Sequence, residues 1–345
     1  MKEEEIEDNL DERIEKEQID AVMRRLVREN TELIKGRAFQ DRLIEVVKDS
    51  IVALPAVKVM EERVLEKKVP EETVVGLISD LHIGEKVSKE ETRGLGGYNF
   101  DIFKKRFNFY IDKIIDFSQN KLQGYVFKKC NLVCLGDMVS GTIHEELLEM
   151  RDLSILDQAF LGARVIGEGI RRVASIFPSV EVDCVFGAHG RLFTKKRYKE
   201  RYVNWDEVLF RVLELLLKEQ KNVKFVIPRS FFEVIDIEGW KFLIYHGDDI
   251  KSWMSLPYYG IERDVARFRD LLYKSGEKFD YVLIGHFHEM AELGQVVVVN
   301  GTMKGADEFG MGKLRKAGRA SQKIFGVHKK HGKTWSFDIR MDDIK

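Results

Sequence analysis

Apolar residues recur along this chain in two rhythms, and the change comes near residue 73. Before it, Ile6, Leu10, Ile14, Val22 and Leu26 fall at multiples of three to four residues, with Glu and Lys between them. That period gathers them on one side of a helix. It predicts an N-terminal helical region over residues 1–51 that packs on its own domain, pairs with a second copy or forms a small DNA-binding head. The heptad phase breaks early, so a coiled coil is not expected. Residues 52–72 carry two prolines and many charges and read as a linker.

Beyond it, apolar runs of four to seven residues alternate with helical stretches in a catalytic domain placed at 73–345. The runs are Thr73–Ser79, Asn131–Leu135, Glu181–Phe186, Val223–Ile227, Phe232–Ile237, Phe242–Tyr245, Tyr281–Ile284 and Val296–Val299. Helices are predicted near 101–118, 154–177, 204–219 and 260–274. Continuous apolar strands interleaved with helices imply α/β architecture, with buried parallel or mixed sheets under helical cover. Ligands in such folds bind beyond the carboxyl ends of the strands.

Five short motifs sit at such ends: Asp80-Leu81-His82, Gly136-Asp137, Gly187-Ala188-His189-Gly190-Arg191, His246-Gly247-Asp248 and Gly285-His286-Phe287-His288. Five of the eight histidines lie inside them. Imidazoles and carboxylates delivered from strand ends are the ligands of two-metal hydrolytic sites. Asp80 and His82 are two residues apart, which on an ideal strand turns both to one side. A lone DxH or GD means little, but all five in order, each after an apolar run, form a specific signal.

Composition narrows the setting. The chain has 345 residues, 44% hydrophobic and 33% charged, enough for one large core with a modest extension. No apolar run approaches the length of a membrane span, and an acidic N-terminus argues against a signal peptide. Cys130, Cys134 and Cys184 form no CxxC pair, so a zinc finger is excluded and a reducing cytoplasm is expected. The net charge of −1 conceals ten acids and three bases in residues 1–20, which leaves +6 on the other 325. A mildly basic body suits a polyanionic substrate.

The motif set resembles the calcineurin-like metallophosphoesterase family, whose pattern is DxH, GD, GNH(D/E), H and GHxH, over roughly residues 73–340. The resemblance implies a four-layer αββα sandwich of two mixed sheets flanked by helices. It also implies two divalent metal ions, Mn²⁺ foremost and Fe or Zn²⁺ as alternatives. Asp80, His82, Asp137 and His288 would hold the first ion; Asp137, His246 and His286 would hold the second. His189 would contact the phosphate and protonate the leaving oxygen while metal-activated water attacks phosphorus.

Two residues depart from that pattern. Ala188 occupies the expected Asn ligand position and has no lone pair to offer, so second-site occupancy and turnover should fall. Every other ligand is intact, which favours an Asn replaced to give an inactive, substrate-trapping form over a native alanine. Gly190 stands where an acid would orient His189.

Residues 136–147, 187–191 and 300–305 are similar to phosphoesterases encoded by bacteriophages, and more broadly to the metallophosphoesterase nucleases of DNA break repair. This likeness points to a DNA nuclease in the host cytoplasm, with Arg191 reaching the phosphate and His144 either doing the same or capping a helix. Residues 190–202 carry six bases, one acid and three aromatics, and residues 304–330 carry eight bases and two acids. Both are candidate nucleic-acid contacts, or else solvated surface. Two alternatives stand beside the nuclease. One is a cyclic-nucleotide phosphodiesterase or small-molecule phosphomonoesterase. The other is a non-catalytic nucleic-acid-binding protein, in which a homo-oligomer through the N-terminal helix would carry the purpose.

Overall fold

A computed structural model describes residues 37–60, 69–143, 151–193, 196, 198–251 and 257–344. The chain divides into two units between Val52 and Ala53. Of the N-terminal helix expected over 1–51, the described part forms α1 (Arg37–Ser50); residues 1–36, like His144, lie outside the described residues. Among the described residues no helix is long and apolar enough to cross a membrane.

The second unit holds eleven described strands and four α-helices. In chain order they are β1 (Glu71–Ile78), α2 (Phe100–Asp116), β2 (Val126–Cys134), α3 (Ile155–Ala174), β3 (Ser179–Cys184), α4 (Trp205–Leu216), β4 (Val223–Val226), β5 (Phe232–Ile237) and β6 (Trp240–Tyr245). They continue with α5 (Tyr258–Tyr273), β7 (Tyr281–Ile284), β8 (Ala291–Leu293), β9 (Val297–Val299), β10 (Ser321–His328) and β11 (Gly332–Arg340). One sheet runs β11-β10-β1-β2-β3-β4 and the other β5-β6-β7-β9-β8. Strands β1 to β4 are mutually parallel, as are β6, β7 and β9; β10, β11, β5 and β8 pair antiparallel at the flanks.

The layers follow from where apolar side chains go. Val75, Leu77, Val133 and Val185 of the first sheet share a core with Ile235, Phe242, Ile244, Leu283 and Val298 of the second. Phe242 stacks on Phe325 of β10 across the gap, with ring centroids 6.1 Å apart. On the outer face of the second sheet, Ile261, Val265, Phe268 and Leu272 of α5 bury against Leu243, Tyr245, Val282 and Ile284. On the outer face of the first, the Tyr110 hydroxyl of α2 donates to the Leu77 carbonyl (2.8 Å). A Cβ at Gly76 would stand 3.0 Å from Ile114. The result is helix, sheet, sheet, helix, the four-layer αββα sandwich that the motif resemblance implied.

Helix starts match local chemistry. Asn99, Ser154 and Asn204 each accept a backbone N–H from the first turn of α2, α3 and α4, the usual work of an N-cap. The segment read as a linker is partly fastened. Leu54 N–H donates to the Leu216 carbonyl and Met60 N–H to that of Ser175, while Val57 exchanges hydrogen bonds with the Gln220 amide.

Candidate metal centre

All five motifs leave the carboxyl ends of strands: β1 leads to Asp80, β2 to Asp137, β3 to Ala188 and His189, β6 to His246 and β7 to His286 and His288. The structure brings seven of the predicted residues together in three overlapping groups. They are Asp80 with His82 and His288, His82 with Asp137 and His189, and Asp137 with His246 and His286. Within each group the ligand-capable atoms lie within 4.8 Å of one another.

Strand alternation does not produce this convergence. β1 ends at Ile78, and Asp80, His82, Asp137, His286 and His288 all have left-handed backbones, with φ from 45° to 71°. Non-glycine residues adopt that conformation at a cost, and such residues collect at functional sites. Here the surrounding loops hold them in place. Asp80 N–H donates to the Gly136 carbonyl (3.0 Å) and His82 N–H to that of Asp137 (3.1 Å), so the β1–β2 pairing continues past both strands. Thr302 Oγ1 (3.0 Å) and Met303 N–H (3.1 Å) donate to the Asp80 carbonyl. A buried network of Ser79, Asn300 and Gln322 supports the same turn.

Asp206, at the start of α4, is a positioning residue the sequence reading missed. Its buried carboxylate accepts four backbone N–H groups: Gly187 (2.9 Å), Asp137 (3.0 Å), Met138 (3.1 Å) and Val139 (3.3 Å). One side chain therefore clamps the loops after β2 and β3 together. Burial, then the neighbouring Asp137, pushes its carboxyl up to about 7 against the pull of those N–H donors. Asn204 assists: its side-chain amide donates to the Gly187 carbonyl (2.9 Å) and its oxygen caps Asp206 N–H (2.8 Å). The loops meet so closely that a Cβ on Gly187 would overlap the Asp137 carboxylate. The Asn-Trp-Asp sequence at 204–206 signals a helix start but not its two distant partners.

The titrations follow from burial and neighbours. Burial raises Asp80 and Asp137, but His288 and then His246 more than offset it at the first, and His246 and His189 at the second. Both carboxyls end below the ordinary carboxylate range. Burial, then Lys304, holds His82 well below the usual histidine value; burial, then His246, lowers His286 to about 4. His246 goes the other way: burial disfavours its charge, yet Asp137 pushes it up to about 10. Its Nδ1–H donates to the Leu135 carbonyl (2.8 Å), which turns Nε2 to within 2.9 Å of Asp137 Oδ2. That nitrogen is buried and makes no hydrogen bond of good geometry.

His189 is half-buried. Its N–H donates to Asp137 Oδ1 (2.7 Å), and its Nδ1 faces the Ser140 carbonyl at 3.2 Å. That carbonyl orients the ring, so the acid absent at position 190 is not needed for it. Gly190 has no room for one: a Cβ there would overlap Asn204 Oδ1. Ala188 lines a cleft with Arg191, Lys196, Arg201 and Asp248. Arg191 Nε donates to the Phe193 carbonyl (3.0 Å), and Lys196 and Arg201 are paired with Asp248 and Asp249.

No family model matches the sequence, and no curated protein matches it. Among solved structures, the chain is similar to wild-type Vps29 of Entamoeba histolytica complexed with zinc, at 14% identity and a TM-score of 0.31, covering 78% of this chain and 99% of that one. It is also similar to the hypothetical protein PH1004 of Pyrococcus horikoshii, at 11% identity and a TM-score of 0.39, covering 78% and 87%. A third is a conserved uncharacterized protein of Streptococcus pneumoniae, a predicted phosphoesterase, at 12% identity and a TM-score of 0.27, covering 78% and 98%. Likenesses this distant carry no functional weight, and the chemistry comes from the site itself.

Proposed function

We propose that this protein is a metal-dependent phosphoester hydrolase of the calcineurin-like kind, acting on phosphodiesters, with DNA as its substrate. The carrying observation is the set of three overlapping ligand groups that share His82 and Asp137 at the carboxyl ends of five strands. The residues present fit divalent cations. The donors are carboxylate oxygen and imidazole nitrogen, suited to Mn²⁺, Fe or Zn²⁺, and the buried His246 Nε2 lacks a hydrogen-bond partner.

Asp80, His82, Asp137 and His288 would hold one ion, and Asp137, His246 and His286 the other. Bound cations supply Lewis acidity there, lowering the pKa of water and neutralising phosphate oxygens. Asp137, which belongs to two of the three ligand groups, would be common to both sets. The Leu135 carbonyl keeps His246 Nε2 turned inward. With Nδ1–H held by the Ser140 carbonyl, a protonated His189 presents Nε2–H as the proton for the departing alkoxide oxygen. Arg191, beside Ala188 in the cleft, would receive a neighbouring phosphate; His144 keeps the same role as an expectation from sequence.

Ala188 favours a second reading, a nucleic-acid-binding protein without turnover, because a methyl group cannot complete the second ion's shell. One experiment separates the two. The chain and Ala188→Asn are compared on bis-p-nitrophenyl phosphate and on labelled single- and double-stranded DNA with Mn²⁺. The expected result is DNA cleavage by the Asn form, at least ~10²-fold faster than by the Ala form, the scale of one lost transition-state contact. Cleavage of the small diester alone removes the DNA assignment. DNA binding without cleavage by either form establishes the second reading.

A further inference from the structure

Beside the first ligand group lies a buried charge cluster that the site chemistry leaves unused. Two buried polar atoms there lack any hydrogen-bond partner: His82 Nδ1 and Glu85 Oε2. They stand 3.5 Å apart, with side chains 0% and 8% exposed. The other face of the imidazole points into the site, with Nε2 3.0 Å from His288 Nε2. The other Glu85 oxygen meets Lys304 Nζ at 2.7 Å, and Lys304 also meets Asp307 Oδ2 at 2.5 Å.

Two unsatisfied atoms of complementary type, this close in a dry interior, are costly unless they come to share a proton. Charge points the same way. One ammonium, Lys304, is shared by two carboxyl groups, Glu85 and Asp307, and the partnerless polar atom that faces the remaining Glu85 oxygen is His82 Nδ1. Lys304 is itself well anchored: Arg106 donates to the carbonyls of Met303 (2.9 Å) and Lys304 (2.8 Å). Glu85 N–H donates to the His82 carbonyl (3.1 Å), which fixes the short loop between them.

We infer that Glu85, steadied by Lys304 and Asp307, is the positioning residue for His82, accepting its Nδ1–H so that the Nε2 lone pair is aimed at a divalent cation. This rests on the metal-dependent reading above and adds the outer partner of one of its ligands. A carboxylate behind an imidazole fixes the ring's tautomer and raises its basicity as a ligand, and removing such a partner weakens metal binding by roughly 10–100-fold. Metal coordination at Nε2 alone already places the proton on Nδ1; what a general packing role for Glu85 would not produce is a strong hydrogen bond from that proton.

The test uses the full chain loaded with Zn²⁺. Calorimetric titration gives the Kd, and long-range ¹⁵N correlation spectra give the His82 tautomer, assigned with His82→Gln. The expected spectrum shows His82 protonated at Nδ1, with that proton shifted strongly downfield. Glu85→Gln should remove the downfield shift and raise the Kd about 10-fold or more, with circular dichroism unchanged. Glu85→Ala should raise it further. Should Glu85→Ala fail to fold, Glu85→Gln and the tautomer of the unsubstituted chain still decide the matter. A His82 Nδ1 proton without the downfield shift, or a Glu85→Gln Kd within twofold of the parent, overturns the role of Glu85 alone; a His82 protonated at Nε2 overturns its place among the ligands as well. Absence of Zn²⁺ binding by the unsubstituted chain overturns the metal reading and this role with it.

Discussion

Asp80 and Asp137 are buried as deeply as Lys304 and Lys323, at 5% exposure or less, yet the protein surrounds the two pairs differently. The aspartates meet imidazoles whose arrangement is incomplete: nitrogen atoms converge on one volume, and one of them, His246 Nε2, makes no hydrogen bond of good geometry. The lysines meet carboxylates that complete them. Lys304 lies between Glu85 and Asp307, and Lys323 between Glu292 and Asp338. A buried charge with its shell completed by protein does structural work. A buried set of donors left open toward one point is where an ion fits. The basic stretch 304–330, one candidate for substrate contact, therefore contributes fewer free cations than its composition suggests.

The largest effect should come from closing the open set. Asp137 belongs to two of the three ligand groups, so Asp137→Asn in an Ala188→Asn background should cut hydrolysis of bis-p-nitrophenyl phosphate by ~10³-fold. Metal titration should show both sites weakened. If only one is weakened, Asp137 is not common to both, and the contrast between open and completed shells loses its central member.

Next in size is the completed set. Lys323→Ala leaves Glu292 with Lys333 and Asp338 without Lys323, and breaking a buried pair costs about 3–5 kcal/mol. Those carboxylates are 32% and 41% exposed, so screening reduces the loss to about 2 kcal/mol. Lys329→Ala, at an exposed turn, should change stability by less than about 0.5 kcal/mol. Urea unfolding of the two variants measures the difference. Equal losses would mean that Lys323 is no more structural than its neighbour.

These contrasts mark what the sequence could reveal. The strand-end motifs were legible because metal-ligand chemistry restricts residue type, and five apolar runs ending in such residues leave few other readings. Eight predicted runs became strands to within a few residues, apart from the polar first half of β2. Strands β10 and β11 were not legible. Ser321, Gln322 and Lys323 are buried polar residues, retained for the Ser79–Asn300 network and for the acids around Lys323, and they erase the apolar signal. The left-handed turns at Asp80 and His82 were also hidden, because residue spacing predicts faces only while a strand continues. Asp206 was invisible for another reason: its partners come from two loops some twenty and seventy residues earlier.

The last contrast is read from pH dependence and concerns Asp183 on β3, a buried carboxyl of the first sheet with no imidazole partner and no salt-bridged cation among the described residues. Asn131 Nδ2 donates to one oxygen (3.1 Å) and the other has no hydrogen-bond partner. Burial, then Glu181, outweighs Asn131 and raises it from 3.8 to about 7. Asp80 and Asp137, buried alongside histidines, are lowered instead. The sign of the linkage follows. A carboxyl raised in the folded state binds its proton more tightly there than in the unfolded chain. Its contribution to stability is full below about pH 4 and is lost as pH rises through about 7. Asp183→Asn mimics the protonated form at every pH and should be free of that loss. The variant's melting temperature relative to the parent should therefore be higher at pH 8 than at pH 5. An identical difference at both pH values would mean that Asp183 is ionised throughout, and that burial without a cation does not distinguish it from the carboxyls of the metal centre.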